Sequence, residues 1–213
     1  MKKILILAIA TLALSPLSSR ADIIYESAEL GPTGQSGGFS LGVQYLGSRF
    51  ELTEETDITA VGGHVLSTTG SGELFAAIVS LESMTDLPEV DLESTTIAST
   101  IFTAPLNSSS DVSVPLSLTL DSGIYGLIFG GVGFGITSGG IMPSNNPELS
   151  GASYFFSNSE SWFDDGFSSV RFFDEGIPSN VEQPPASVPE PGTLALLGVG
   201  LVGMGFARRR KRV

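Results

Sequence analysis

Residues 112–120 read Val112-Ser113-Val114-Pro115-Leu116-Ser117-Leu118-Thr119-Leu120. Val and Leu fall on alternate positions, and a period of two sends all of them to one face of a β-strand with the hydroxyls on the other. Pro115 withholds a backbone N–H, which places the strand at a sheet edge or at a bulge. Asp121-Ser122-Gly123 reads as a turn, and Ile124 to Phe129 as the return strand of a hairpin.

The same signals recur outward from this stretch. Ile24–Glu26, Phe39–Leu46, Ile58–Leu66, Leu74–Leu81, Thr96–Phe102, Ala152–Phe156 and Ser168–Phe173 read as strands between clusters of Gly, Ser, Asn, Asp and Pro. No amphipathic helix interrupts them. Many short strands in a body of this size predict an all-β fold, an antiparallel β-sandwich of jelly-roll type.

The two ends of the chain differ from this body. Lys2-Lys3 precede an apolar run from Ile4 to Leu14, Pro16 breaks it, and Ser19-Arg20-Ala21 places small residues two apart. That is the three-part plan of a secretory signal peptide, with cleavage expected after Ala21. At the other end, Ile177 to Gly192 is rich in proline and reads as an extended, solvated linker. Thr193 to Ala207 then carries no charge, and Arg208-Arg209-Arg210-Lys211-Arg212 stops it. An apolar segment closed by a basic cluster predicts one C-terminal transmembrane helix with its basic end in the cytoplasm. At about 1.5 Å per residue the segment is shorter than a hydrocarbon core of about 30 Å, a gap that snorkelling arginines and local thinning close. Gly198-Val199-Gly200-Leu201-Val202-Gly203 spells G-x-G-x-x-G, but the basic run replaces the helix and acidic partner that a dinucleotide site requires.

Val188-Pro189-Glu190-Pro191, then Gly192, a short apolar segment and an Arg-rich terminus resemble the PEP-CTERM sorting domain of Gram-negative bacteria. The resemblance covers about the last 26 residues. It implies that Pro189, Glu190 and Pro191 form the triplet recognised by an exosortase, an integral-membrane cysteine protease or transpeptidase. It also implies that residues 193–207 cross the inner membrane transiently, and that Arg208, Arg209, Arg210, Lys211 and Arg212 stop transfer. The expected route is export through the Sec translocon, removal of the signal by signal peptidase, then release to the cell surface or exopolysaccharide matrix. A permanent membrane anchor is the competing reading of the same tail. The expected organisation is a signal peptide over 1–21, a β-sandwich over 22–176, a linker over 177–188 and a sorting segment over 189–213. The body is similar, more loosely, to β-rich domains found upstream of such tails, through "VGGH" (61–64), "LFAAIVSL" (74–81), "LDSGIYGLIFGGVGFG" (120–135) and "VRFFDEG" (170–176).

Charge bounds what the body can bind. Of 10 basic residues in the chain, only Arg49 and Arg171 lie between the signal and the tail, against 22 of the 23 acidic ones. Such a surface repels nucleic acid and anionic lipid. The chain has no cysteine, so its fold rests on a core, and thiol chemistry and Cys-ligated zinc are excluded.

Several patterns invite a chemical reading. Gly34-Gln35-Ser36-Gly37-Gly38 matches G-x-S-x-G, but a strand pattern follows it where a nucleophile elbow requires a helix. His64 is the one histidine, and a structural hydrogen-bonded role is expected for it. Asp164-Asp165-Gly166 and Glu54-Glu55-Thr56-Asp57 could offer oxygen to calcium, but neither matches a calcium loop, and no resident metal or cofactor is expected. Aromatics crowd residues 154–173, with the phenylalanines expected in the core and Trp162 and Tyr154 as candidates to stack on a glycan. The leading expectation is a non-enzymatic surface or matrix protein associated with polysaccharide. The alternatives are a carbohydrate-active enzyme, marked by two carboxylates across a cleft, and a calcium-stabilised adhesin.

Overall fold

The computed structural model describes residues 21–34, 37–68, 72–158, 161–164 and 166–179. Its strands are β1 (Asp22–Glu26), β2 (Gly38–Ser40), β3 (Tyr45–Leu52), β4 (Thr56–Ser67), β5 (Glu73–Leu81), β6 (Thr96–Thr103), β7 (Ser110–Leu120), β8 (Gly123–Gly130), β9 (Val132–Gly133), β10 (Ile136–Thr137), β11 (Gly140–Pro143), β12 (Tyr154–Ser157), β13 (Trp162–Asp164) and β14 (Phe172–Pro178). One helical turn, α1 (Leu92–Thr95), lies between β5 and β6.

Twelve of these strands form two six-stranded sheets, β9 and β10 pair as a separate two-stranded ribbon, and every strand pairing is antiparallel. The first runs β1-β14-β4, with β7 on β4 and with β11 and β2 continuing from the far end of β4. The second runs β13-β12-β3-β8-β5-β6. Numbering the principal strands β1, β3, β4, β5, β6, β7, β8 and β14 in chain order, the first sheet takes the first, eighth, third and sixth. The second takes the second, seventh, fourth and fifth. That order is a jelly roll, as the strand pattern predicted.

The alternation in 112–120 is realised. Leu116 and Leu120 are buried, Val112, Val114 and Leu118 half-buried, and Ser113, Pro115, Ser117 and Thr119 exposed. β7 pairs β4 and nothing else in its sheet, and its register slips between the pairs Ile58–Leu118 and Ala60–Pro115. Pro115 therefore sits on an edge strand and beside a bulge.

Three expectations are corrected. The residues after Asp121-Ser122-Gly123 do not return beside β7: β8 crosses to the other sheet, between β3 and β5. The turn is a sandwich corner, because one face of each strand must meet the same core from opposite sides. Phe39–Leu46 is not one strand but the end of β2 and the start of β3, broken at residues 41–44. The last strand runs to Pro178, with Ile177 opposite Asp57 and Pro178 opposite Thr56, so the sheet extends two residues past the expected linker boundary at 177.

The main core lies between the sheets, with Phe50, Val61, Ile78, Leu127, Phe129 and Phe172 at its centre. A second apolar cluster covers the outer face of the second sheet, built from Phe75, Ala77, Val79, Ile128, Phe155 and Trp162 under the loop that carries α1. β5 is thus buried on both faces, which is why "LFAAIVSL" is continuous rather than alternating. β1 begins with Asp22 opposite Gly176 and β14 ends at Pro178, so the chain enters and leaves the body at one end of the sandwich.

Candidate functional site

The two basic residues of the body are both interior. Arg49 alternates with inward-facing Ser48 and Phe50 on β3, so it points to the outer face of the second sheet. Its Nε donates to the Asp86 carbonyl at 2.8 Å, and Nη1 donates to Ser153 Oγ at 3.0 Å and the Tyr154 carbonyl at 3.2 Å. Nη2 lies 2.8 Å from Asp164 Oδ1 as an ion pair without the alignment of a hydrogen bond. Arg171 plays the matching part on the first sheet. It donates to Asp111 Oδ2 at 3.0 Å, to Glu26 and to the Ala28 carbonyl. Each guanidinium carbon lies 5.0 Å from an aromatic centroid, Phe155 for Arg49 and Phe173 for Arg171. Buried arginines satisfied in this way are structural. Among the described residues no positive side chain is left on the surface to meet an anionic ligand.

His64 is buried on β4, and its Nδ1 donates to Asn146 Oδ1 at 2.8 Å. Asn146 is saturated. Its Oδ1 also accepts the Gly31 N–H at 2.8 Å, and its Nδ2 donates to the carbonyls of Pro143 at 2.9 Å and Ser169 at 3.3 Å. One amide thus ties four segments together, and His64 has the hydrogen-bonded structural role expected of it. Nothing in the one-dimensional pattern distinguishes Asn146 from a turn residue.

Asp174 is the second functional-type residue that sequence reasoning passes over. It is fully buried on β14 opposite Tyr25 of β1, and neither carboxyl oxygen has a hydrogen-bond partner. Burial pushes its pKa well above the usual aspartate range. A raised carboxyl is what a general acid needs, but this one is enclosed between the sheets, where substrate does not reach.

The two aromatic candidates are separated. Tyr154 is only 4% exposed within the main core; its hydroxyl donates to the Val170 carbonyl at 3.0 Å, and burial pushes its pKa up to about 12. It offers no face to a sugar, a correction whose cause is position: on β12 its side chain points between the sheets. Trp162 is 9% exposed and points to the other side of the same sheet. Its Nε1 donates to the Glu89 carbonyl at 2.9 Å, and its ring packs against Phe155 and Tyr45. Trp162 and Tyr45, with Asp91, Glu93, Ser157 and Ser161, line a surface cleft of about 160 Å³. Tyr45 is the aromatic that the sequence left unmarked, because a strand tyrosine carries no signal of the loop that will face it.

Two of the calcium candidates have structural partners. Asp164 pairs with Arg49, and Asp57 Oδ1 accepts the Thr119 hydroxyl at 2.6 Å. Among the described residues no three His, Asp or Glu converge as a metal site. A strand, β2, begins at Gly38, so the G-x-S-x-G match lacks its helix; Ser36 itself lies outside the described residues. Ala21 directly precedes β1. The triplet Pro189, Glu190 and Pro191, the apolar segment 193–207 and the basic cluster 208–212 lie outside the described residues. Among those described, no helix is long and apolar enough to cross a membrane.

What the body leaves open, the terminus decides. Residues 187–211 match the family model of the PEP-CTERM protein-sorting motif. The chain carries a PEP-CTERM sorting tail. The matched span includes Pro189-Glu190-Pro191, the whole apolar segment and the basic cluster up to Lys211. A PEP-CTERM signal marks an exported chain, anchored at its C-terminus before an exosortase processes it. The PEP-CTERM match stops short of the sandwich, and no curated protein matches the chain.

Proposed function

We propose that this is a non-enzymatic protein of the cell surface or extracellular matrix, freed from its membrane tail by exosortase and associated with exopolysaccharide. The observation that carries the reading is the PEP-CTERM tail behind a body whose two arginines and histidine have structural work and whose one fully buried carboxylate is out of reach. Arg49, Arg171 and His64 are each tied into hydrogen bonds, and Asp174 is sealed inside the sandwich. In this reading the polysaccharide contact is the Tyr45–Trp162 cleft, where an aromatic wall stands beside the carboxylates of Asp91 and Glu93 and the hydroxyl of Ser161. Sugar rings stack on aromatic faces and their hydroxyls donate to carboxylates. At about 160 Å³ the cleft is smaller than the roughly 300–1,000 Å³ of enclosed small-molecule pockets, which suits grazing contact with a polymer.

Two measurements test this. Intact mass of the protein recovered from its producing cells should show loss of everything beyond about Pro191; a chain ending in Val213 makes it a plain anchored ectodomain. Co-sedimentation with polysaccharide from the same cells should be lost in Tyr45→Ala and kept in Phe163→Ala, with thermal melts confirming that both variants fold. Failure of the wild-type protein to co-sediment removes the polysaccharide role and leaves the sorting intact.

A further inference from the structure

A sheet edge exposes unpaired N–H and C=O groups that can template another strand, and soluble proteins blunt such edges with charge, proline, bulges or shortness. Most edges of this sandwich carry such a device. β7 has Pro115, a bulge and Asp111. β1 is five residues long, is acidic at both ends and slips register between Ile23 and Tyr25. β2 and β13 are three residues each. β6 differs. It is eight residues long, and after a slip at its start the six residues Ala98–Thr103 run in unbroken register against β5, with no charge, proline or glycine.

The surroundings of β6 point the same way. Ile97 and Ile101 stand on its outer face, 47% and 46% exposed, and Leu106 is exposed just beyond its end. Among the described residues, three of the nine exposed large apolar side chains thus fall within ten residues. From Ser94 to Ser110 the sequence has no charged residue at all. On a body with 22 acidic residues and two buried arginines, this is a gap in a negative surface.

We propose that the β6 edge is a docking site for β6 of a second copy, forming a symmetric antiparallel dimer with one continuous sheet across the interface. Charge selects the occupant. A cationic partner would be drawn to the acidic faces, whereas two copies of so acidic a body repel everywhere except where both are uncharged. Antiparallel pairing of β6 with itself satisfies both open edges, so assembly closes at two and does not propagate into fibres. The attraction is apolar and backbone-based and the opposition is electrostatic, so added salt should tighten the dimer by screening repulsion. An association held by salt bridges would loosen.

Sedimentation velocity on the exported protein recovered from its cells is the test. A dimer is expected that strengthens between low and high salt, with Ile101→Lys weakening it at least tenfold and Val43→Lys, at an exposed apolar residue away from β6, leaving it unchanged. Because the chain contains no cysteine, single cysteines placed in turn at Ser99, Thr100 and Ile101 report the contact directly, and one of them should give a disulfide-linked dimer. A monomer at about 100 µM in high salt, or a dimer indifferent to Ile101→Lys and uncrosslinked by all three cysteines, overturns the proposal.

Discussion

The two outer faces of the sandwich are sealed by opposite chemistry. Over the second sheet the seal is a small apolar core of Phe75, Phe155, Trp162 and their neighbours, with Arg49 at its rim. Over the first sheet it is a polar network, in which Arg171 binds two carboxylates and a carbonyl while Asn146 binds His64 and three backbone groups. Apolar packing is non-directional, so it degrades in proportion to what is removed. A buried polar network fails sharply, because each partner left behind is a desolvated group without a bond. The first face is therefore the brittle one.

The largest effect should come from Arg171, with Arg49 as its counterpart on the other face. Arg171→Met leaves Glu26 and Asp111 facing each other across a half-buried site and should cost about 3–5 kcal/mol in chemical denaturation. Arg49→Met leaves Asp164, whose side chain is 53% exposed and stays hydrated, and should cost clearly less, about 1–3 kcal/mol. Equal losses would break the contrast between the faces. Next, Asn146→Ala strips acceptors from Gly31 and His64 and should cost about 2–3 kcal/mol, with faster amide exchange at Gly31 as the local signature.

Asp174 sharpens the comparison from between the faces. Its raised pKa means the unfolded state releases the proton first. Below the unfolded value near 3.8 the carboxyl adds no pH-dependent penalty, and above it stability falls by up to about 1.4 kcal/mol per pH unit until the folded pKa is reached. Asp174→Asn should therefore gain on wild type as pH rises from 4 towards neutrality, and urea midpoints across that range read the difference. A gap that is constant with pH would mean the carboxyl is paired in solution. The smallest effect belongs to the apolar face, where Phe155→Leu should cost about 1–2 kcal/mol.

The legibility of the sequence divides along the same line. Alternation in 112–120 disclosed β7, its edge position and its bulge, because period and proline act locally. The crossing after Gly123 was not legible, since a corner and a hairpin use the same turn residues and only the shared core tells them apart. The sorting tail was readable because the parts of its motif follow one another directly along the chain. Asn146, Asp174 and Tyr45 were not, because each acquires its environment from strands far away in the chain. Tyr154 was misread for that reason: an aromatic near an acidic loop looks available until its strand is placed between two others.

β14 lies between β1 and β4 and runs straight into the segment that leads to the sorting tail. Ladder hydrogen bonds lie across the strands. A tug on the chain at Ser179 therefore acts along β14 and strains the ladders on both its sides at once, as a lap joint is strained, rather than peeling bonds one by one. Any tether made at the C-terminus meets the sandwich along its most tear-resistant line.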